Sequence, residues 1–579
     1  MFASIIEKSI ENALNKLNFG VVDFVVEHPE NEEFGDYSTN AAMVLSKTLK
    51  KSPMELAQVI ANSVKIRPPI LKVEVRNPGF INVWLREESL AEALIKVIIQ
   101  GDEYGKSKAG KGKTWLIEHT SPNPNKAMHL GHLRNNVFGM ALSNIWEFMG
   151  IKVIRDCIDN NRGIAIAKLM WGYLKFAKKD ENTLSDVTYW RKHKNEWITL
   201  KDLKIRPDRF VDDLYFKGSR DFEEFEESED IVRAMVAKWE QGDMSILELW
   251  KTVLEFAYKG QNLTLKRLNS KWDKVWRESD HYKMGKELVL RGVKKRVFKK
   301  LDDGAILSNL KKYHLPDTIL IKRDGTSLYI TQDIALTKLK KETFSPDKMF
   351  WVIGPEQGLA LKQLFAICEQ LGIGKMEEFT HLSYGYMRIK GGARMSSRLG
   401  NVVYIDELID LAKGEVLKKT SDEAIAEKVA VSAVKYSMLK VGRTTNTAFD
   451  FEKSLSFEGD SGPYLQYTYA RCESVLKKIK KLDKDCGVMK FNEEERRILR
   501  HIYKFSEVVG KAGFEYSPNF VALFLFELAK RFNGFYNSHS ILEASSENKK
   551  QFRGLITKAT AQTIKNGILL LGIEPLERM

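Results

Sequence analysis

Hydrophobic and polar positions divide the chain into regimes. Residues 1–104 open with an amphipathic helix, MFASIIEKSIENALNKL, pass through a helical stretch near 38–65, and change to strand alternation in KVEVRNPGFINVWL at 72–85. This predicts a small α+β domain. In 105–177 an apolar strand, KTWLIEH, runs into a helix with Leu130, Leu133, Val137, Met140 and Ala141 on one face, then into a second strand, IKVIRDCI. That unit is half of a doubly wound α/β fold with a parallel sheet. Residues 178–262 interrupt it. They are charged, Trp-rich and irregular, with an acidic patch at FEEFEESED, and read as an insertion. Strand-like runs return at TILIKR (318–323) and MFWVIG (349–354), each followed by a helical pattern, so the parallel sheet is expected to resume over 263–380. Residues 381–420 hold a polar, glycine-rich loop between SYGYMRI and YIDELIDLAK, and 421–579 are helical throughout.

Composition narrows the class. A chain of 579 residues is too long for one core and implies three to five domains. Lys+Arg 92 against Asp+Glu 77 leaves +15, which favours a polyanionic partner, RNA or DNA. Cys157, Cys368, Cys472 and Cys486 are scattered, without the spacing of a zinc site, and read as reduced thiols. No run is long and apolar enough for a membrane helix. Glu7 and Glu11 argue against a transit peptide, so the cytoplasm is the default location. GKSKAGKGK (105–113) nearly matches a phosphate-binding P-loop but ends on the wrong residues and precedes a strand instead of following one, so it is a basic linker.

Two segments carry candidate chemistry. His129-Leu130-Gly131-His132 lies where a strand turns into a helix. Free N–H groups of the helix start, the positive dipole end and two imidazoles can all meet phosphate, and the glycine leaves room for a flat base. The second segment is GGARMSSRLGN (391–401), where Arg394 and Arg398 can reach phosphates and Ser396 and Ser397 can add hydrogen bonds.

Together these two segments resemble the paired signatures of class I aminoacyl-tRNA synthetases, in the right order. Their surroundings resemble the arginyl-tRNA synthetase family. The run E-x-x-S-P-N-x-x-K-x-x-H-x-G-H-L-R matches Glu118, Ser121, Pro122, Asn123, Lys126, His129, Gly131, His132, Leu133 and Arg134. Asp324, Gly325, Thr326, Tyr329, Asp333, Ile334 and Ala335 match a second run, and Gly354 and Gln357 a third. FGDYSTNAA and NPGFINVWL resemble the family's N-terminal domain; GPYLQYTYAR and LLGIEPLERM resemble its helical C-terminal domain.

The resemblance implies an α/β, Rossmann-like catalytic domain with an N-terminal α+β domain for the tRNA elbow and an all-α anticodon-binding domain. It implies an arginine–tRNA ligase that makes arginyl-adenylate from ATP, with tRNA bound, and passes arginine to the 3′-terminal adenosine of tRNA(Arg), at the 2′-OH by class analogy. Asp333 would take the guanidinium bidentately, since a planar carboxylate satisfies two N–H groups at once. Tyr329 would lie one turn from it. Asn123 and Gln357 would bond the amino acid's polar groups and Glu118 its α-ammonium. His129, Gly131 and His132, with Met395, Ser396 and Ser397, would bind ATP. The general pattern has a lysine where Ser397 stands and another where Arg394 stands. Lys126 is the expected substitute cation, assisted by Arg398. Mg²⁺ is expected on the leaving pyrophosphate, with no dedicated protein metal site.

For tRNA the resemblance offers Tyr464, Gln466, Tyr467 and Arg471, with Tyr536 and Asn537, and in the N-terminal domain Phe34, Tyr37 and Asn77. Lys477, Lys478, Lys480 and Lys481 would meet phosphates. A monomer is expected, without DNA or membrane as partner and without an editing domain. Two other readings share parts of this pattern. A catalytically inactive paralogue that holds tRNA or arginine differs only in turnover. A small-molecule nucleotidyltransferase would lack the helical tail and the basic excess.

Overall fold

The computed structural model describes residues 2–390, 403–479, 481–483 and 490–579. The N-terminal domain packs helices α1 (Ala3–Lys16), α2 (Ala41–Leu49) and α3 (Pro53–Ser63) on an antiparallel sheet of order β1-β2-β4-β3, where β1 is Val26–Glu27, β2 Tyr37–Thr39, β3 Ile70–Arg76 and β4 Phe80–Leu85. Ile6, Ile10, Ala13 and Leu14 form the buried stripe of α1, at the spacing its sequence predicts. Helix α4 (Glu87–Gln100) leads into the catalytic domain.

The catalytic sheet is five-stranded and parallel, in the order β12-β11-β5-β6-β7. Its strands are β5 (Thr114–Glu118), β6 (Lys152–Asp159), β7 (Lys274–Arg277), β11 (Lys348–Trp351) and β12 (Phe379–His381). Alternate residues serve opposite faces. Trp115, Ile117 and Phe350 join the larger core, and Leu116, Met349 and Trp351 a second core on the other side. The chain runs outward from β5 through β6 to β7, then returns to the far side at β11. The order therefore reverses between β5 and β11, and it is outside the carboxyl ends of the strands at such a reversal that open α/β sheets form their ligand crevice.

Two expectations need correcting. TILIKR does not rejoin the parallel sheet. Thr318–Ile321 is β10 of a separate antiparallel sheet with β8 (Lys299–Lys300) and β9 (Ile306–Ser308). A short apolar run cannot announce which sheet will accept it. Nor is the insertion irregular. Its helices α7 (Val187–Lys192), α8 (Pro207–Glu224), α9 (Glu226–Gln241) and α10 (Met244–Arg267) pack with the preceding α6 (Ile164–Phe176) around a separate core that includes Trp171, Trp190 and Trp197. The charges that masked this lie on outer faces, as the Arg220–Glu224 and Arg233–Glu229 pairs do.

Helix α5 (Leu130–Phe148) bridges β5 and β6; α11 (Glu278–His281), α12 (Met284–Lys294), α13 (Tyr329–Phe344) and α14 (Gly358–Gln370) belong to the second half. Buried Arg134 of α5 donates to the carbonyl oxygens of Gly385 (2.7 Å) and Thr445 (2.8 Å). It thereby fixes the small parallel pair β13 (Met387–Ile389) and β14 (Thr447–Phe449). The C-terminal domain is helical, with Gly462–Lys477, Asn519–Ser538 and Glu547–Leu570 at its centre. It also holds the N-terminal domain, through Arg500–Asp36 (2.6 Å) and Arg531–Glu32 (2.7 Å).

Candidate active site

The loop after β5 is held in an uncommon backbone state, with Thr120 at φ 76° and Ser121 at φ 35°. Tertiary contacts enforce it. Thr120 N donates to Asn135 Oδ1 (2.7 Å), and Gln261 of α10 donates to the carbonyls of Asn123 (3.0 Å) and Lys126 (3.1 Å). The inserted bundle thus sets where Lys126 sits. His119, at the start of the loop, packs so closely on α5 that a Cβ at Gly139 would lie 2.5 Å from its Cγ.

His129 and His132 cap α5 reciprocally. Gly131 N donates to His129 Nδ1 and His129 N donates to His132 Nδ1, each at 3.2 Å. An Nδ1 that accepts cannot carry the ring proton of a neutral imidazole. Both rings therefore present Nε2–H. Burial, reinforced by His129 and Lys126, pushes His132 down to about 3, and His129 is lowered by burial and Lys126. Both are neutral donors at pH 7, so positive charge at this end comes from Lys126. The expected free helix N–H groups are a correction: Leu130 N donates to Val403 O (3.2 Å) and Gly131 N is taken by His129. Two of the first main-chain donors of this helix are therefore already engaged, and the imidazole Nε2–H groups are the donors left open here.

Arg394, Met395, Ser396, Ser397 and Arg398 lie outside the described residues. The chain that follows them is anchored beside the imidazoles. Ile405 N donates to Met128 O (3.1 Å), and Tyr404 pairs in a β-bridge with His129. Tyr404 also donates its hydroxyl to Asp212 under the Arg209 guanidinium, which lies 3.2 Å from its ring centre.

Across the crevice, Tyr329 is the first residue of α13 and Asp333 lies one turn on. Tyr329 is 89% exposed, its ring open to solvent. The surrounding protein mass and then the charge of Glu118 lift the Asp333 carboxyl to about 7; Lys340 opposes this and Glu278 adds to it. The residue is nonetheless exposed to solvent. Solvent moderates the shift and leaves its direction. Asn123 Oδ1 accepts from Asn160 (2.9 Å), and Gln357 is exposed in the turn after β11. Glu118 is corrected. It is 3% exposed and its Oε2 is taken by Lys340 at 2.6 Å, so it is not an open partner for an ammonium group.

The motifs missed three residues here. Lys340 and Asp156 complete the Glu118 cluster. Glu278 opens α11, paired with Arg162 at 3.5 Å and raised by burial. Lys340 could have been found from its place two turns after Asp333, and Asp156 from the strand register. Nothing in the sequence marks Glu278.

Among the tRNA candidates, Tyr467, Arg471 and Tyr536 come together. The Arg471 guanidinium lies 4.7 Å from the Tyr467 ring centre and 4.9 Å from that of Tyr536. Asn537 and Asn77 are exposed, Phe34 is exposed on its 3₁₀ turn, and Tyr464 is half-buried. Two others are corrected. Tyr37 is fully buried and donates to Glu507 of the C-terminal domain (2.9 Å). Gln466 is fully buried and donates to Glu574 O (2.8 Å). Each spends its polar group inside the protein, because a buried donor must find a partner. Lys480 lies outside the described residues; Lys477, Lys478 and Lys481 are exposed. Among the described residues no cluster of His, Cys, Asp or Glu could hold a metal ion, and no helix is long and apolar enough to cross a membrane.

Comparisons with known proteins point the same way. Residues 93–451 match the family model for tRNA synthetases class I (R), catalytic domain; residues 465–579 match the DALR anticodon binding domain, and 4–85 the arginyl tRNA synthetase N terminal domain. An arginine–tRNA ligase of Fusobacterium nucleatum is 32% identical over 589 residues, covering 99% of this chain and 98% of that one. One from Bacteroides fragilis is 33% identical over 573 residues, covering 95% and 94%. Among solved structures, Thermus thermophilus arginyl-tRNA synthetase superposes with a TM-score of 0.81 at 24% identity, over all of both chains. Plasmodium falciparum arginyl-tRNA synthetase does so at 0.79 and 20%, over 100% of this chain and 99% of that one. At such identities these two likenesses carry the fold.

Proposed function

The chain belongs to the arginyl-tRNA synthetase family of class I, and from that premise we propose how its crevice divides the work of an arginine–tRNA ligase. ATP lies along the β5 side with its phosphates toward Nε2–H of His129 and His132. Lys126 supplies the cation that the second signature lacks at Ser397. Arg394 and Arg398 are expected to add to it. Gly131 lies against the adenine, and Met395, Ser396 and Ser397 close on the nucleotide from the second loop.

Arginine lies on the α13 side. Asp333 takes its guanidinium, with Glu278 as a second carboxylate nearby and Tyr329 and Gln357 at the rim. Asn123 orients the α-carboxylate end. One carboxylate oxygen of arginine attacks the α-phosphorus of ATP. The bond from that phosphorus to the bridging oxygen breaks, and pyrophosphate leaves. The protein forms no bond to either; it positions them and offsets developing charge. In the second step the 3′-terminal ribose hydroxyl of tRNA attacks the acyl carbon and AMP departs. The Mg²⁺ that the resemblance implies takes oxygen ligands. The phosphate-facing side chains described are two imidazoles and an ammonium, which do not fit it.

Dependence of activation on bound tRNA, work as a monomer and a cytoplasmic location belong to this proposal and rest on the family alone. The anticodon stem is placed against Tyr467, Arg471 and Tyr536, and the elbow against Phe34 and Asn77. The observation that carries the reading is the reciprocal cap of His129 and His132 beside Lys126, which leaves two fixed N–H donors and one cation facing the crevice. ATP–pyrophosphate exchange tests it. Exchange should need both arginine and tRNA and should collapse in Lys126→Ala. Arginine binding without exchange under any condition would favour a non-catalytic binding role instead.

A further inference from the structure

Behind the arginine end of the crevice lies an ion cluster that no motif marks. Glu118 and Asp156 stand side by side, in register near the carboxyl ends of β5 and β6. Lys340 reaches both from α13, with Nζ 2.6 Å from Glu118 Oε2 and 2.7 Å from Asp156 Oδ2. None of the three is more than 3% exposed. Trp276 donates its indole N–H to the same Asp156 oxygen at 2.8 Å, and Asp156 Oδ1 has no hydrogen-bond partner among the described residues. Burial pushes both carboxyls up and the shared Lys340 ammonium pulls them down, so two buried carboxyl groups share a single cation. Apolar residues would fill that space at less cost, so stability alone is a weak reason for the cluster. Position supplies a better one. Lys340 follows Asp333 by seven residues, two helical turns, so anchor and substrate carboxylate share one face of α13.

We propose that Lys340 is a positioning residue for substrate recognition: by locking Glu118 and Asp156 into one buried cluster, it fixes the rotation of α13 and the charge behind the crevice, and so how Asp333 meets the arginine guanidinium. This rests on the reading of Asp333 as the guanidinium ligand. The groups facing Asp333 are Glu118 from β5, Lys340 on its own helix, Glu278 of α11 with its partner Arg162, and Cys368 from α14. Glu118 raises the Asp333 carboxyl and Lys340 lowers it. Removing the charge of Glu118 while Lys340 stays paired with Asp156 therefore lowers that carboxyl. The acid limb of kcat/KM for arginine then moves to lower pH.

The test is steady-state aminoacylation by the full chain, with kcat and KM taken separately for arginine and ATP. Lys340→Gln should raise the arginine KM by roughly tenfold or more, the scale for leaving a buried charge pair unpaired, and move the ATP KM by no more than about twofold. Lys340→Arg should restore the arginine KM. Glu118→Gln should shift the acid limb down by roughly half a pH unit or more, as loss of a nearby like charge does. A Glu118 bonded directly to substrate would instead raise the arginine KM at every pH. A folded Lys340→Gln enzyme with an unchanged arginine KM overturns the proposal, as does an unmoved limb in Glu118→Gln. The second readout decides alone where Lys340→Gln does not fold. Asp333→Asn separates the two claims. If it leaves the arginine KM unchanged, the ligand reading itself fails. If it raises KM and the limb stays in place, only the role of Lys340 fails.

Discussion

The two ends of the crevice are built by opposite means. At the phosphate end, four consecutive residues do most of the work: His129 and His132 cap each other through main-chain N–H groups within a single helical turn. At the arginine end, the charged groups come from distant segments: Glu118 on β5, Asp156 on β6, Glu278 on α11, and Asp333 with Lys340 on α13. The histidine pair at the first end is a local device, closed by hydrogen bonds within its own turn, while Lys126 beside it is set by Gln261 of the inserted bundle. The second exists only after the sheet has formed. Their chemistry differs as well. The phosphate end offers neutral donors and one ammonium, the arginine end an excess of carboxylates. In the proposed division of the crevice, this contrast would place the ATP phosphates at one end and the arginine guanidinium at the other before any bond changes.

The strongest way to break this comparison is to remove the cation from the phosphate end. Lys126→Ala should lower the exchange rate by about 10²–10³-fold, the range for deleting one preorganised group aimed at developing charge. The arginine KM should stay nearly constant. If KM rises and the rate holds, the two ends are not separate. The mirror experiment is Asp333→Asn. It should raise the arginine KM by about 10²-fold, within the cost of truncating one partner of a buried charge pair, and leave the ATP KM near its starting value. Equal loss in both constants would mean that Asp333 acts through the fold.

The same contrast explains what was legible in the sequence. The histidine turn, the Asp333 helix and the strand MFWVIG could be placed because their signals are short-range: a spacing, a helical period, an apolar run. The fate of TILIKR could not, since an antiparallel partner at Ile306–Ser308 competes with the parallel sheet for the same apolar strand. Glu118 could be located but not understood. Its partner lies 222 residues away, and only the assembled sheet brings Lys340 to it. Tyr37 and Gln466 failed for a related reason: a polar residue in a matched motif serves packing as readily as binding, and burial decides which.

A smaller effect sharpens the comparison at the far end of the molecule. Tyr467 and Tyr536 flank the Arg471 guanidinium on the helical domain's surface. Tyr467→Ala should raise the KM for tRNA by about tenfold, since one stacked base is worth roughly 1–3 kcal/mol. The kcat at saturating tRNA should hold. A change in kcat alone would place Tyr467 in coupling between domains instead of in tRNA contact.

The smallest expected effect is in the pH profile, and it asks which end titrates. His132 is pushed down to about 3 by burial, with His129 and Lys126 adding to it, so it carries no charge change near neutrality. Asp333 is lifted to about 7, mainly by the protein around it, and its exposure to solvent brings it somewhat lower. Arginine pairs with the ionised carboxylate, whose fraction grows as pH rises through that value. The kcat/KM for arginine should therefore climb with pH up to neutrality and then level off. Well below the limb it should fall by about tenfold per unit, as for a single group. Asp159, held up at about 6 by burial, is one other carboxyl able to produce such a limb, and Glu278, also raised by burial, is a second. The profile should keep its shape in Asp159→Asn and in His132→Asn, with only its height reduced in the latter. If the limb disappears with His132, the phosphate end carries the titration and its imidazoles work as cations. The division between a neutral donor end and a carboxylate end would then be wrong at its root.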